Sequence, residues 1–292
     1  MQRAIGKTAR RAGVGLTLAA ITALGTTGAV AAEIEVWHAD SLAGPMRALK
    51  AAYELKNPGV TVNLTSGVSK PLAERILKGE VCDVFVPSSP AVVDDDLMGK
   101  PIGGAGRLAA TWYVVVSANE MAIITAKGNP LGIAKVGDLV KPGVRFARVT
   151  GEKDLATGRT IEFIKRAAAL EGTPELAQRI IDSAPANAEK PISVPITVNA
   201  VRQGNADAGV VYYSAAVAAK ADVDIVRFPA SVNMSEAIRN AALVPGTAKN
   251  VVDGIGFVAY LITPEAQTIF ASTGQPPVVP AIRRGTVPAE IR

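Results

Sequence analysis

The chain has little of the chemistry that metal sites and disulfide scaffolds need: it contains one histidine and one cysteine among 292 residues. A zinc site takes three or four ligands, so one histidine without a second ligand cluster does not predict such a site. A single cysteine excludes an internal disulfide, and within "EVCDVFV" Cys82 is expected to behave as a small buried residue. Aromatic residues make up only 4% of the chain, which argues against a surface that stacks nucleic-acid bases.

The first 32 residues have the layout of a secretory signal (1–32). Basic residues precede the apolar segment "AGVGLTLAAITALGTTGAVAA", which ends in small residues at Ala32. Its glycine and threonine content argues against a membrane anchor, which needs roughly 20 strongly apolar residues. We therefore predict export to the periplasm with cleavage near Ala32, while Arg10 and Arg11 leave the Sec and twin-arginine routes both open.

Removal of the signal changes the charge of the protein. The chain carries 31 Lys and Arg against 26 Asp and Glu, and four of the basic residues lie in the signal, so the mature chain has 27 minus 26, or +1. A nearly neutral chain offers no electrostatic reason to bind nucleic acid. We expect a soluble mature protein that its core alone holds together.

From Glu33 onward, short apolar runs alternate with helical stretches. The segments "IEVWH", "VTVNL" and "CDVFVPSS" predict strands. The stretches between them have apolar residues at helical spacing and predict helices. This β-α-β-α-β order indicates a parallel sheet with right-handed crossovers. The middle of the chain repeats the theme less regularly, and the tail predicts two helices that separate at Pro264. The pattern fits an α/β protein and is compatible with two α/β lobes.

Three turns share one design, in which a strand is followed by a Ser/Thr/Gly turn and a helix start. They are "HADSLAGP", "TSGVSKPLAE" and "VTGEKDLATGRT". In an α/β sheet such turns lie at the carboxyl ends of the strands, where ligands bind. The first N–H groups of a helix lack internal partners and can hold an anion. Ser41, Ser69 and Thr157 are therefore candidates for an anion site, although each alone also fits a helix cap.

Individual residues also suggest two other functions, hydrolysis and ferric-iron binding. An exported hydrolase would use His38 with Asp40 and Ser41, but residues so close together on one strand end do not easily converge into a triad. A ferric-iron binder would use the phenolates of Tyr212 and Tyr213, but neighbours on a strand point to opposite faces. A hydrogen-bonding histidine beside the site and a single tyrosine at the cleft are the preferred interpretations.

Four segments of the chain match one known pattern. "SKPLAERILKGEVCDVFVPSS" is the most specific, and "HADSLAGPMRALKAAYE", "NADAGVVYYSAAVAA" and "LITPEAQTIFASTGQPPVVPA" accompany it. Together they resemble the molybdate-binding and tungstate-binding proteins of ABC importers over most of the mature chain. The resemblance implies a two-lobed periplasmic-binding-protein type II fold. Each lobe is then a mixed sheet flanked by helices, and the ligand lies in the cleft between the lobes.

Carried over residue by residue, the resemblance implies that hydroxyls and backbone N–H groups hold a tetrahedral oxyanion. The implied ligand-binding residues are Ser41, Ser69, Thr157, Val194 and Tyr212. They reach the metal atom of the oxyanion only through its oxygens, and no cofactor is expected. Gly158 is the alternative to Thr157, because "LATG" lacks the proline of the family's P-A-G helix start. Lys70, next to Ser69, either contacts the anion or shields it.

The resemblance also implies lobes at 33–117 with 227–292 and at 118–226, so that the chain crosses twice between them. The expected function is capture of molybdate, with tungstate also accepted, by a monomer that catalyses no reaction and delivers the anion to a membrane ABC permease. Ser231 stands where tungstate-type relatives carry a carboxylate. Without that acceptor, a protonated phosphate finds no partner. Ferric-iron binding and hydrolysis remain the alternative functions.

Overall fold

The computed structural model describes residues 32–151, 155–184 and 192–291. The predicted signal, apart from Ala32, lies outside these residues, as do positions 152–154 of the third turn. The strands are β1 (Ala32–Ala39), β2 (Val60–Gly67), β3 (Val84–Val86), β4 (Pro101–Ile102), β5 (Ala105–Leu108), β6 (Trp112–Ala118), β7 (Met121–Ala126), β8 (Phe146–Arg148), β9 (Ala208–Tyr212), β10 (Val223–Val226), β11 (Arg239–Ala242) and β12 (Pro277–Gly285). The helices are α1 (Ala43–Lys56), α2 (Ser69–Leu77), α3 (Pro90–Asp96), α4 (Leu155–Leu170), α5 (Leu176–Ser183), α6 (Val194–Arg202), α7 (Tyr213–Ala218), α8 (Val251–Leu261) and α9 (Pro264–Ser272).

The first three strands form the parallel sheet that the β-α-β-α-β order predicts. β1 lies between the other two, with Ala39 opposite Gly67 on β2 and His38 opposite Val86 on β3. The last four residues of β1 are all buried. Helices α1 and α2 connect the strands and bury their apolar stripes in the same core. The sheet therefore ends in three neighbouring turns on one edge.

An antiparallel sheet completes this first core. β6 lies between β11 and β12, and a bridge between Phe85 and Leu243 joins β3 to the start of the tail. The buried residues of the cluster come from positions 34–118 and 241–291. Trp37 and Trp112 both belong to it, and the Arg75 guanidinium lies 4.1 Å from the centre of the Trp37 ring.

The second core surrounds a mixed sheet with the order β10-β7-β9-β8. Val210 and Val211 are neighbours on β9 but belong to different clusters, because alternate side chains of a strand point to opposite faces. Helices α4 and α5 cover one face and α6 covers the other. Met234 and Ile238, which follow the predicted lobe boundary at 227, pack in this second core.

Two segments connect the cores and run side by side. Asn119 and Glu120 join β6 to β7, and the Asn119 N–H donates to the carbonyl of Ile238 at 3.0 Å. The Met121 N–H donates in turn to the carbonyl of Asn233 at 2.8 Å. The fold is thus an α/β fold with two lobes. Among the described residues, no helix is long and apolar enough to span a membrane.

Candidate functional site

A serine follows each of the three parallel strands at the same distance. β1 ends at Ala39, β2 at Gly67 and β3 at Val86, and Ser41, Ser69 and Ser88 each stand two residues later. The strand register brings these ends together at one edge of the sheet. Carboxyl ends of parallel strands are where α/β proteins bind ligands. The structure therefore groups two of the predicted site residues with a third serine, Ser88.

Ser69 and Ser88 are hydrogen-bonded to each other. Ser69 is the first residue of α2 and only 4% exposed, and its Oγ accepts a hydrogen bond from the Ser88 N–H at 3.1 Å. The two hydroxyl oxygens lie 3.3 Å apart. The sequence interpretation did not single out Ser88, although "VPSS" after a buried strand repeats the pattern of the first two turns. That repetition was the available signal.

Ser41 lies in a short 3-10 helix, Asp40–Leu42, that continues β1. Its carbonyl accepts a hydrogen bond from the Gln275 side chain at 3.3 Å. The Gln275 side-chain Oε1 accepts from the Asn240 side chain at 2.9 Å, and Asn240 Nδ2 also donates to the Ser117 hydroxyl at 2.9 Å. Gln275, Asn240 and Ser117 are all buried. A buried polar network therefore fixes the first turn against the antiparallel sheet.

Arg159 of α4 connects the serine cluster to the second lobe. Its Nη1 donates to the Tyr212 hydroxyl at 2.9 Å, and its Nη2 donates to the Ser88 carbonyl at 3.1 Å. Tyr212 ends β9 and is 6% exposed. One guanidinium thus brings Tyr212 into the same network as Ser69, two residues that the sequence places in the site. Arg159 itself was missed, because an arginine in an amphipathic helix is usually part of a solvated face.

Thr157 and Val194 lie at the starts of two helices, α4 and α6. Thr157 is two residues before Arg159 on α4, and its buried hydroxyl oxygen has no hydrogen-bond partner among the described residues. Val194 begins α6, and Ile192 just before it exchanges two hydrogen bonds with Thr150, at 2.9 and 3.0 Å. The start of α6 is therefore held beside the turn that follows β8. Among the described residues, no hydrogen bond joins Val194 to Ser69 or Arg159.

Tyr212 and Tyr213 have different partners. The sequence predicts one strand through both residues, but β9 ends at Tyr212 and Tyr213 begins α7. The Tyr213 ring lies 4.4 Å from the Arg227 guanidinium, which binds both carboxylate oxygens of Glu120 at 2.8 and 3.0 Å. Each phenol therefore contacts a cation of its own. In the part of the chain that the structure describes, no cluster of three His, Cys, Asp or Glu residues could hold a metal.

His38 is a buried neighbour of the site. It is 2% exposed, and its Nδ1–H donates to the Ala39 carbonyl at 2.9 Å. Burial lowers the pKa of His38, and Arg47 acts in the same direction, whereas the Ala39 bond and Asp40 oppose the shift. Asp40 accepts a hydrogen bond from Ser66 instead. Within the described ranges, no hydrogen bond links His38 to Ser41, the contact that a Ser-His relay uses.

Cys82 is fully buried as well, and burial raises the pKa of its thiol well above the usual value. The thiol donates to the Val84 carbonyl at 3.2 Å. A thiol that is neither ionised nor accessible is a poor nucleophile. Cys82 therefore has the buried environment that its apolar sequence context predicts.

A sequence profile of the bacterial extracellular solute-binding proteins matches residues 34–275. The chain belongs to this family. This solute-binding protein is also 30% identical over 199 residues to the molybdate-binding protein ModA of Mycobacterium tuberculosis, with 68% of each chain covered. The resemblance that the four sequence segments predict is confirmed.

Solved structures with the same fold include proteins named for three kinds of solute. A substrate-binding domain of a putative molybdenum ABC transporter from Clostridium difficile gives a TM-score of 0.65 at 20% identity, covering 85% of this chain and 99% of that one. The sulfate-binding protein SubI of Mycobacterium tuberculosis gives 0.64 at 17% identity, covering 85% and 88%. Iron-bound HitA of Pseudomonas aeruginosa gives 0.57 at 16% identity, covering 88% and 89%. These likenesses confirm the predicted two-lobed fold.

Proposed function

We propose that this solute-binding protein captures a tetrahedral oxyanion, molybdate first and tungstate also, in the cleft between its lobes. The observation that supports this is the network in which Arg159 joins Ser88, and through it Ser69, to Tyr212. It gathers hydroxyl and guanidinium donors from both lobes around one place. A tetrahedral oxyanion presents acceptors in several directions, so donors from two lobes can surround it.

The donors fit recognition rather than reaction. Hydroxyl groups rotate to donate toward an anion, and they bring no charge that must be desolvated. No carboxylate belongs to the network within the described residues, and the acceptors in it are the Ser88 carbonyl and hydroxyl oxygens. We therefore expect a fully ionised oxyanion to be preferred over a protonated phosphate, whose hydrogen would need an acceptor. Neither a cofactor nor a catalytic step is part of this function.

Sulfate and ferric iron are the solutes that related folds suggest as competitors. Sulfate has the same shape and charge as molybdate but is smaller, so it would lose contacts in a cavity sized for the larger ion. Ferric iron would have to approach the Tyr212 hydroxyl, which already accepts from the Arg159 guanidinium at 2.9 Å. A fixed cation beside the phenol repels a metal ion. The network therefore favours an anion over iron.

We further propose that the protein is exported to the periplasm, acts as a monomer and hands its ligand to a membrane ABC permease. The relationship to the molybdate-binding protein of Mycobacterium tuberculosis supports this role. Closure of the two lobes on the ligand would present the loaded form to the permease, and the two crossing segments would serve as hinges.

Calorimetric titration of the mature protein (33–292) tests the proposal. Molybdate and tungstate should bind tightly, sulfate more weakly, and phosphate and ferric citrate least of all. At equal ligand concentration, each bound oxyanion should also raise the melting temperature, by an amount that increases with the logarithm of its affinity. If neither molybdate nor tungstate gives heat or thermal stabilisation, the proposed function is wrong; tighter binding of sulfate would reassign the ligand.

A further inference from the structure

Among the described residues, the hydrogen-bond partners of Arg159 are neutral. Arg159 is half-buried, and the two hydrogen bonds of its guanidinium go to neutral oxygens. The exposed arginines at positions 145, 166 and 227 each pair with a carboxylate, whereas the buried Arg148 donates to two backbone carbonyls. No carboxylate of the described residues forms an ion pair with Arg159. A partly desolvated charge without a counter-ion is unfavourable, so an anion bound beside Arg159 would stabilise it.

Arg159 and the hydroxyl groups near it also have more hydrogen-bond donors than acceptors. The hydroxyls of Ser69 and Ser88 face each other at 3.3 Å, where only one of them can donate to the other. A guanidinium has five N–H groups, and Ser88 and Tyr212 take up two. An oxyanion would supply the acceptors that these groups lack.

We propose that Arg159 is a charged ligand of the bound oxyanion and the residue that makes this site selective for dianions. The inference rests on the proposed function and goes beyond it, because the sequence implies a site of neutral hydroxyl and N–H donors only. The Ser88 carbonyl and the Tyr212 hydroxyl orient the planar fork from opposite lobes. The remaining N–H groups bind two oxygens of the anion side by side, the geometry in which guanidinium groups recognise oxyanions.

A charged ligand changes how binding responds to conditions. The affinity should fall as ionic strength rises, since salt screens the attraction between the guanidinium and the dianion. A dianion should bind better than a monoanion of the same shape, so tungstate should bind better than perrhenate. A site of neutral donors would show a much smaller preference of this kind. Ionic strength and ligand charge are therefore readouts that a merely structural arginine would not affect.

The test compares the mature wild-type protein with Arg159→Gln, Arg159→Lys and the control Arg166→Gln. Arg166 lies on the same helix, but it is exposed and paired with Glu162. Each protein is titrated with molybdate, tungstate, perrhenate and sulfate at two ionic strengths, and thermal melts confirm folding. Arg159→Gln should weaken molybdate binding by about 10- to 100-fold and remove most of the salt dependence. Arg159→Lys should lose less, and Arg166→Gln should match the wild type.

The outcomes separate this inference from the proposed function. If the wild type binds molybdate and a folded Arg159→Gln binds it equally well with the same salt dependence, Arg159 is structural and the proposed function stands. If the wild type binds sulfate but neither molybdate nor tungstate, and Arg159→Gln loses sulfate, the charged ligand stands and the proposed solute is wrong. If the wild type binds none of these anions, both are overturned.

Discussion

Asn119 and Ser214 are joined by two hydrogen bonds at the point where the chain passes from the first core to the second. The Asn119 side-chain amide donates to the Ser214 hydroxyl at 2.8 Å, and its carbonyl oxygen accepts from the Ser214 N–H at 3.3 Å. The same oxygen accepts from the Glu120 N–H at 2.9 Å. Both side chains are buried. The Asn119 side chain thus fixes the start of α7, two residues after Tyr212.

Replacement of this asparagine should destabilise the fold. Asn119→Ala leaves the Ser214 and Glu120 groups without their partner, and an unsatisfied buried polar group costs roughly 1–3 kcal/mol. Urea unfolding measures the loss of unfolding free energy. The control is Asn205→Ala, in an exposed turn where the side-chain amide donates to Gln203 at 3.3 Å. Equal stabilities for the two variants would show that the Asn119 bonds contribute nothing net.

Ser69→Ala should weaken molybdate binding by about tenfold, because it removes one hydroxyl donor and the acceptor that holds Ser88. Calorimetric titration gives the affinity. The matched control is Ser89→Ala, one residue beyond Ser88. The Ser89 hydroxyl caps α3 through the Ala91 N–H at 3.3 Å, so this variant should lose stability but keep its affinity. Equal affinities in the two variants would remove Ser69 from the site.

Tyr212→Phe and Tyr213→Phe distinguish the oxyanion site from an iron site. Tyr212→Phe removes the hydroxyl that Arg159 contacts and should lower molybdate affinity, whereas Tyr213→Phe keeps the ring beside Arg227 and should leave it unchanged. Ferric citrate should produce no phenolate-to-iron absorption band in the wild type. A band that disappears in either variant would instead support iron binding.

The strands and helices at the start of the chain could be predicted because their pattern is local. The strand-like run "IEVWH" and the helical spacing of Met46, Leu49 and Tyr53 predict β1 and α1 without knowledge of the rest. β11 carries no such pattern, since "RNAA" becomes a strand only by pairing with β6, more than a hundred residues earlier in the chain. Pairings that distant depend on tertiary structure rather than on local preference.

The candidate site also has a part that local sequence predicts and a part that only tertiary structure brings together. The turns that carry Ser41 and Ser69 follow from strand-turn-helix order, which is a local property. Arg159 and Ser88 come together only because helix α4 of one lobe reaches the last turn of the other lobe's sheet. Nothing in "LATGRTIEF" marks its arginine as different from a solvent-facing one. Arg159, the charged residue of the network, was therefore the one that the sequence could not reveal.

The single histidine should make stability depend on pH in one direction. Burial lowers the pKa of His38, so between its folded value and the unfolded value of about 6.5 the unfolded chain binds more protons. Unfolding free energy should therefore fall as the pH drops below about 7, by at most about 1.4 kcal/mol per pH unit. His38→Asn keeps a donor for the Ala39 carbonyl and should lose this dependence. Urea unfolding at pH 7.5, 6.5 and 5.5 measures it, and parallel curves for the two proteins would contradict the assignment.

The two tryptophans of the chain, Trp37 and Trp112, lie in the first core, and the second core contains neither. Indole emission consequently reports on one lobe only, while circular dichroism registers the helices of both. If the lobes melt independently, the two signals will give different midpoints; if they melt together, the curves will superimpose. The placement of Trp37 beneath Arg75, on the strand that leads to Ser41, also puts a natural fluorophore near the cleft. The unmodified protein thus carries its own optical reporter for one lobe, and no label needs to be attached.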